Sequence, residues 1–242
     1  FVPSREQCGV ADGNCDGATA TTAVGCTSYF RDGDSDGWGA DTIGYMRPTV
    51  WWSMDEVSAD GSFRDWSKNS VPLRRIGGSR RVLGYRGLGL EFDGTDRKVG
   101  AETAATAHSW TSFGEEMTLS SWIYPHTAGI GVVTRTIAGS LANTWRLVIN
   151  NSGKLQFRYA GVKINGPSVT LNSWQQVGIT IKGTTITFYR NGLPTAVKAL
   201  PSPLSVQHGL SIGNRAGTGY QPFDGVIDEV ILFARELTGP EM

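Results

Sequence analysis

The sequence carries no surplus of either charge. Lys and Arg number 22, Asp and Glu number 22, and the formal net charge at pH 7 is zero. Nucleic acid and anionic membranes are bound through a basic excess or a basic stripe, so this balance removes the electrostatic case for both. No apolar run approaches the roughly 18 residues of a membrane span, and no insertion into a bilayer is expected. Cysteine is nearly absent: only Cys8, Cys15 and Cys26 occur. Their clustering reads as a local disulfide made in an oxidising compartment, with one thiol left over and the pairing open. Three reduced thiols, or a zinc site with a fourth ligand elsewhere, are the alternatives. Histidine is scarce too, and His108, His126 and His208 lie far apart without metal-ligand spacing. No G-x-S-x-G elbow marks a serine nucleophile. Phe1 to Glu6 lack the charged-then-apolar pattern of a signal peptide, so the chain is read as mature or as cut from a longer parent.

What is present is a turn-rich chain with 32 Gly and 8 Trp. Residues 1–47 are rich in Gly, Asp, Ala and Thr and show no periodicity before Tyr29. From Val50 onward short runs alternate with period two, and Arg47-Pro48-Thr49 marks the joint, because the residue before Pro is pushed to extended geometry. Two domains follow, 1–47 and 48–242. Trp145–Ile149, a turn, and Leu155–Tyr159 read as strand, turn, strand. Trp174–Ile181 turns at Lys182-Gly183 and returns as Thr184–Arg190, which turns again at Asn191-Gly192. Asn-Gly tolerates the positive φ angles of a two-residue hairpin. Val226–Phe233 is apolar except at Asp228-Glu229 and reads as a strand inside a sandwich. Ala101–Ala107 has room for one helical turn. The expected fold is all-β, a two-sheet antiparallel β-sandwich behind an irregular N-terminal segment.

Six segments, in order, resemble the LamG-like jelly rolls of the concanavalin A-like lectin/glucanase superfamily. They are Trp51–Glu56, Asp65–Asn69, Gly89–Asp96, Met117–Pro125, Trp174–Gly192 and Phe223–Val230. The second departs from the family's D-x-S-G-N loop at Lys68. The resemblance implies two antiparallel sheets face to face, with ligands and calcium at loops or on a sheet face. It implies no single activity, since the fold hosts lectins, adhesion modules and glycosidases.

The leading segment carries Asp32-Gly33-Asp34-Ser35-Asp36-Gly37, three carboxylates at alternate positions followed by Gly. Alternate carboxylates converge on one hard cation, and the Gly lets the next carbonyl, that of Trp38, turn inward. Asp12-Gly13-Asn14-Cys15-Asp16-Gly17 repeats the spacing, with Asn14 between Asp12 and Asp16. Position 12 of the two loops is Ile43 and Ala23, so neither is an EF-hand. The segment resembles the calcium-binding thrombospondin type 3 repeats, and Asp41 stands one residue late for that pattern. Calcium is the expected cofactor, and its main effect would be to order a segment poor in apolar residues. A solvated Asp/Gly turn is the plain alternative.

Asp228 in its apolar strand must be hydrogen-bonded, ion-paired or metal-bound. Asp65, Asp93 and Asp96 carry the same ambiguity. Sugar recognition needs aromatic faces with a polar rim, and Trp66, Trp110, Tyr220 and Trp38 fall in loop-like segments that offer them. Trp122, Trp145 and Trp174 lie in strand patterns and read as core. Asp228 and Glu229, being adjacent, are expected on opposite faces of their strand and unable to share a site. The expected function is non-catalytic: an extracellular calcium-binding module that recognises a carbohydrate or surface ligand within a larger secreted or cell-surface protein. A structural module that binds neighbouring domains or copies of itself is one alternative, and a polysaccharide-degrading enzyme is another.

Overall fold

The computed structural model describes residues 48–58, 60–67, 69–76, 80–94, 100–103, 115–128, 135–140, 145–204, 210–214 and 222–242. The chain divides into two units, Phe1–Arg47 and Pro48–Met242, and every described residue lies in the second. Strands are numbered β1 to β16 in chain order. Among the described residues they form two antiparallel sheets, with a single short 3-10 turn at Gly239–Glu241 and no α-helix.

Sheet A runs β14 (Leu193–Ala199), β13 (Thr185–Arg190), β12 (Gln175–Lys182), β7 (Glu116–Pro125), β16 (Asp224–Phe233), β5 (Leu88–Asp93), β4 (Arg80–Leu83). Its remaining strand, β1 (Val50–Trp52), pairs with the far end of β16 beyond β5. Sheet B runs β11 (Val162–Ser168), β10 (Lys154–Tyr159), β9 (Trp145–Ile149), β8 (Arg135–Ser140), β15 (Leu210–Ile212), β6 (Gly100–Thr103), β3 (Leu73–Ile76), β2 (Ser62–Phe63).

The period-two pattern explains why these segments are strands and which side each buries. In β9 and β10, Trp145, Leu147 and Ile149 face Tyr159, Phe157 and Leu155 directly across the ladder, and all six belong to the core. In sheet A, Met117, Leu119 and Ile123 of β7 meet Ile181, Ile179 and Gln175 of β12 in register. Burying such a side chain contributes about 1.5–3 kcal/mol, so the stacked inner faces are the main stabilising term. The hairpin from β13 to β14 turns as expected from Asn-Gly: Asn191 and Gly192 both have positive φ, 51° and 75°. Of the Ala101–Ala107 segment expected to have room for a helical turn, residues 104–107 lie outside the described residues. Ala101–Thr103 belong to β6, held between β3 and β15, so cross-strand pairing overrides the helical leaning of Ala.

Candidate functional site

Strand β7 alternates from Leu119 to Pro125, while Thr118 in its outward phase is buried. Met117, Leu119, Ser121 and Ile123 point into the sandwich, while Glu116, Ser120, Trp122 and Tyr124 stand half-buried on the outward face of sheet A. The two aromatics therefore occupy the polar phase of the strand. The expectation that Trp122 and Trp174 are core is corrected here: both are half-buried on the outward side, and of the three only Trp145 is core.

The β4–β5 loop, residues 84–87, folds over that face. Tyr85 lies flat on Trp122, with ring centroids 3.4 Å apart and planes 8° apart. Trp174 meets Tyr85 edge-on at 6.0 Å and Tyr124 at 5.6 Å. The His126 ring stands against Tyr124 at 5.7 Å, and its Nδ1 lies 3.3 Å from Asp224 Oδ1. Thr127 Oγ1 donates to Asp224 Oδ2 at 2.5 Å. Four aromatic rings with an imidazole, a hydroxyl and a carboxylate at one side make a continuous amphipathic surface. Tyr85 is its most exposed ring at 43%.

Two carboxylates, Asp228 and Asp55, hold the loop in place, and Glu229 stands beside them. Asp228 is fully buried and accepts the Arg86 N–H at 3.0 Å and the Glu229 N–H at 2.8 Å. Asp55 Oδ1 accepts the Leu88 N–H at 2.7 Å. Glu229 accepts the Trp51 indole N–H at 2.5 Å. The loop approaches these acids because it has glycines where it needs them. A Cβ at Gly84 would stand 2.5 Å from Asp228 Oδ2 and 2.7 Å from the Gly89 nitrogen. One at Gly87, where φ is +52°, would collide with Asp55 Oδ1. Burial pushes the Asp228 carboxyl up to about 7, and the neighbouring Glu229 and Asp55 charges push the same way. Burial also raises Glu229.

The expectation that Asp228 and Glu229 diverge is a second correction. Pairing of β16 with β7 slips between Asp228 and Ile231, and Glu229 adopts a positive φ of 48°. A bulge of this kind breaks the alternation and places successive side chains on one side.

Residues 96–242 match the Laminin G-type family described as the concanavalin A-like lectin/glucanases superfamily. This chain belongs to that superfamily. The matched span contains Trp122, Tyr124, Trp174 and Asp228, and leaves β1 and the Asp65 loop outside it. No curated protein matches the sequence. Among solved structures, the binding domain of Paraclostridial mosquitocidal protein 1 is 18% identical with a TM-score of 0.62, over 81% of this chain and 50% of that one. Domain 4 of an extracellular arabinanase from Geobacillus stearothermophilus, in complex with arabinotriose, is 16% identical with a TM-score of 0.62, over 81% of this chain and 96% of that one. A Trypanosoma rangeli sialidase is 17% identical with a TM-score of 0.62, over 85% of this chain and 33% of that one. The chain thus spans about half of the mosquitocidal binding domain and a third of the sialidase. At these identities the likeness is one of fold.

The other residues singled out in the sequence fall in different places on this superfamily fold. Asp65 turns both carboxylate oxygens toward protein donors: the Trp51 and Ser67 N–H groups at 2.9 and 2.8 Å, the Ser67 hydroxyl at 2.7 Å and the Val71 N–H at 2.8 Å. It organises its own loop. Asp93 lies at the exposed end of β5, opposite Asp224. Calcium asks for about six to eight oxygen ligands. The oxygens of Asp65 and Asp228 are taken by N–H and O–H groups, and among the described residues no group of three His, Cys, Asp or Glu side chains is arranged to hold a metal ion. Asp65 bonds within its own loop, and Asp228 bonds the β4–β5 loop and its own strand. Trp66 sits beside Trp51 at 6.3 Å, under the Arg64 guanidinium at 4.1 Å, apart from the Tyr85 cluster. Asp12, Asn14, Asp16, Asp32, Asp34, Asp36, Trp38, Asp41, Asp96, Trp110, Tyr220, Cys8, Cys15 and Cys26 lie outside the described residues.

Proposed function

We propose that this chain is a non-catalytic carbohydrate-recognition module whose ligand stacks on the outward aromatic face of sheet A. The observation that carries the reading is the Tyr85–Trp122 stack, edged by Trp174 and Tyr124. Sugar rings present C–H faces that pack on aromatic planes, while their hydroxyls need a polar rim. Asp224, Thr127 and His126 supply that rim. The arabinanase domain of like fold, solved with arabinotriose, supports the ligand class. Asp228 and Asp55 are occupied with the N–H groups of the β4–β5 hairpin, which supports a positioning role over a catalytic one.

Calorimetry with arabinotriose and a panel of neutral oligosaccharides tests the reading. Tyr85→Ala should weaken the bound sugar about tenfold, equivalent to about 1.4 kcal/mol. The loss is bounded because the substitution uncovers the Trp122 face beneath. Affinity unchanged in Tyr85→Ala would remove the platform. A wild type that binds no sugar and self-associates in sedimentation would favour the assembly reading instead.

Within this proposal the calcium role rests on the Asp32 and Asp12 loops of residues 1–47, and the secreted location on the cysteine cluster. A thermal melt should shift down when EDTA is added. The same midpoint with and without chelator would count against calcium.

A further inference from the structure

Asp228 belongs to the outward face of sheet A, yet water does not reach it. In register it stands opposite Trp122, whose side chain is outward, and the next pair of that ladder, Ile227 with Ile123, is core. Opposed residues of an antiparallel pair point to one side of the sheet. A carboxylate at such a position is ordinarily solvated, but the exposure of Asp228 is 0%. Residues 84–87 lie on it. The Arg86 N–H reaches Oδ2 at 3.0 Å, and Gly84 comes so close that a Cβ would stand 2.5 Å from the same atom. The same loop lays Tyr85 on Trp122. One short hairpin thus covers a carboxyl and an indole face side by side.

The groups around Asp228 oppose its charge. Glu229 follows it on β16, and Asp55 approaches from the segment after β1. Arg86 of the loop acts on Glu229, and Arg81 of β4 donates Nη2 to the Asp55 carbonyl oxygen at 2.6 Å. Glu91 of β5 pairs with Arg80. From β7 the facing residue is the neutral Trp122. Among the described residues no Lys or Arg forms an ion pair with Asp228. Two N–H donors, at 3.0 and 2.8 Å, offset only part of the cost of a charge out of water. Hydration would offset the rest, and the hairpin is what keeps water out.

That hairpin is lightly held. Strand β4 ends the sheet, and none of its four residues is buried. Tyr85, Arg86 and Gly87 at the tip are exposed. Beyond the β4–β5 ladder, its ties are the bonds to Asp228 and Asp55, the Arg81 bond and the aromatic contacts of Tyr85. Segments with so few buried contacts open locally while the rest of a fold stays intact. We propose that the β4–β5 hairpin is a proton-linked lid, closed while Asp228 holds its proton and lifting more often as that carboxyl ionises, which hydrates the acid and bares Trp122. Closed, the carboxyl titrates at about 7; open to water it returns to the ordinary 3.8. Closing therefore takes up a proton. Its advantage is complete below about pH 4, shrinks as pH rises to about 7, and shrinks no further above that. The device concerns the hairpin itself and stands whether or not the aromatic face binds a sugar.

Hydrogen–deuterium exchange of the whole chain across this pH range tests it, read at the Arg86 and Leu88 amides. Amides of β9 and β10 report global unfolding in the same sample. Divided by the exchange of an unstructured peptide at each pH, hairpin opening should rise about tenfold per pH unit from about pH 4 to about pH 7 and then level off. The hairpin amides should exchange faster than the core amides throughout. Asp228→Asn should lose most of the rise, and circular dichroism confirms that it is folded. Tyr85→Ala removes only the stack, so it should open the hairpin about two- to tenfold more at every pH and keep the slope. The proposal is overturned by wild-type opening that does not change with pH, or by hairpin amides as slow as the core, and neither result needs a variant. A folded Asp228→Asn chain with the wild-type slope overturns it too, as does a Tyr85→Ala hairpin that opens no more than the wild type.

Discussion

Asp228→Asn should make the chain more stable at pH 8 than the wild type and flatten its stability between pH 4 and 7. The wild-type carboxyl is fully buried beside Glu229 and Asp55, and burial first, then those charges, raises it from 3.8 to about 7. The folded state therefore holds a proton that the unfolded chain releases. Stability from this group is complete below about pH 4 and is lost as pH rises through 7. A shift of about three units corresponds to roughly 4 kcal/mol. Asparagine removes the titration and keeps one acceptor. Arg86 and Glu229 donate to different oxygens of Asp228, so one N–H loses its partner at a cost of about 1 kcal/mol. The net gain at pH 8 is then about 3 kcal/mol. Glu229 is raised in the same direction and leaves a residual slope. Glu241 is drawn down to about 2, chiefly by its Arg235 bond, and Glu116 is lowered chiefly by the Glu236 N–H. Their contribution is lost only as pH falls below the usual carboxylate range. Urea unfolding at pH 5 and pH 8 for both chains checks the claim, and parallel pH profiles would refute it.

Trp122→Ala should strike binding and stability together. The indole is half-buried between Tyr85 above and the sheet below, and truncating a large aromatic in a packed site costs about 3–5 kcal/mol. Partial exposure puts the expected loss near the lower end, about 3 kcal/mol. The stack itself contributes about 0.5–1.5 kcal/mol of that. Without Trp122 the Tyr85 ring has nothing to lie on, and oligosaccharide binding should fall below detection. Trp122→Phe keeps a ring in place and should recover much of both. Urea unfolding and calorimetry on the two variants measure each quantity. A Trp122→Ala chain that binds sugar as the wild type does would show that the platform is elsewhere.

The arrangement of these residues follows from two levels of information. Strand identity was readable residue by residue, because period two and turn chemistry are local: the alternation of Trp145–Tyr159 and the positive φ of Asn191 and Gly192 needed no partner. The polar phase of β7 was readable too. Trp122 and Tyr124 share it with Glu116 and Ser120, and that phase was the available sign that they face outward. Treating every strand tryptophan as core obscured it.

What the sequence determined by itself is the class: many short strands, two buried inner faces and tight turns, all set by neighbours a few positions apart. Only the tertiary structure decided which distant side chains meet. The bulge at Glu229 turns adjacent acids to one side, and the β4–β5 hairpin carries Tyr85 across to a strand 37 positions further along the chain. Register sets Asp228 of β16 opposite Trp122 of β7 on one outward face. A site assembled from the register of distant strands leaves no pattern along the chain, because alignment across a sheet is fixed by core packing and by bulges rather than by spacing in sequence.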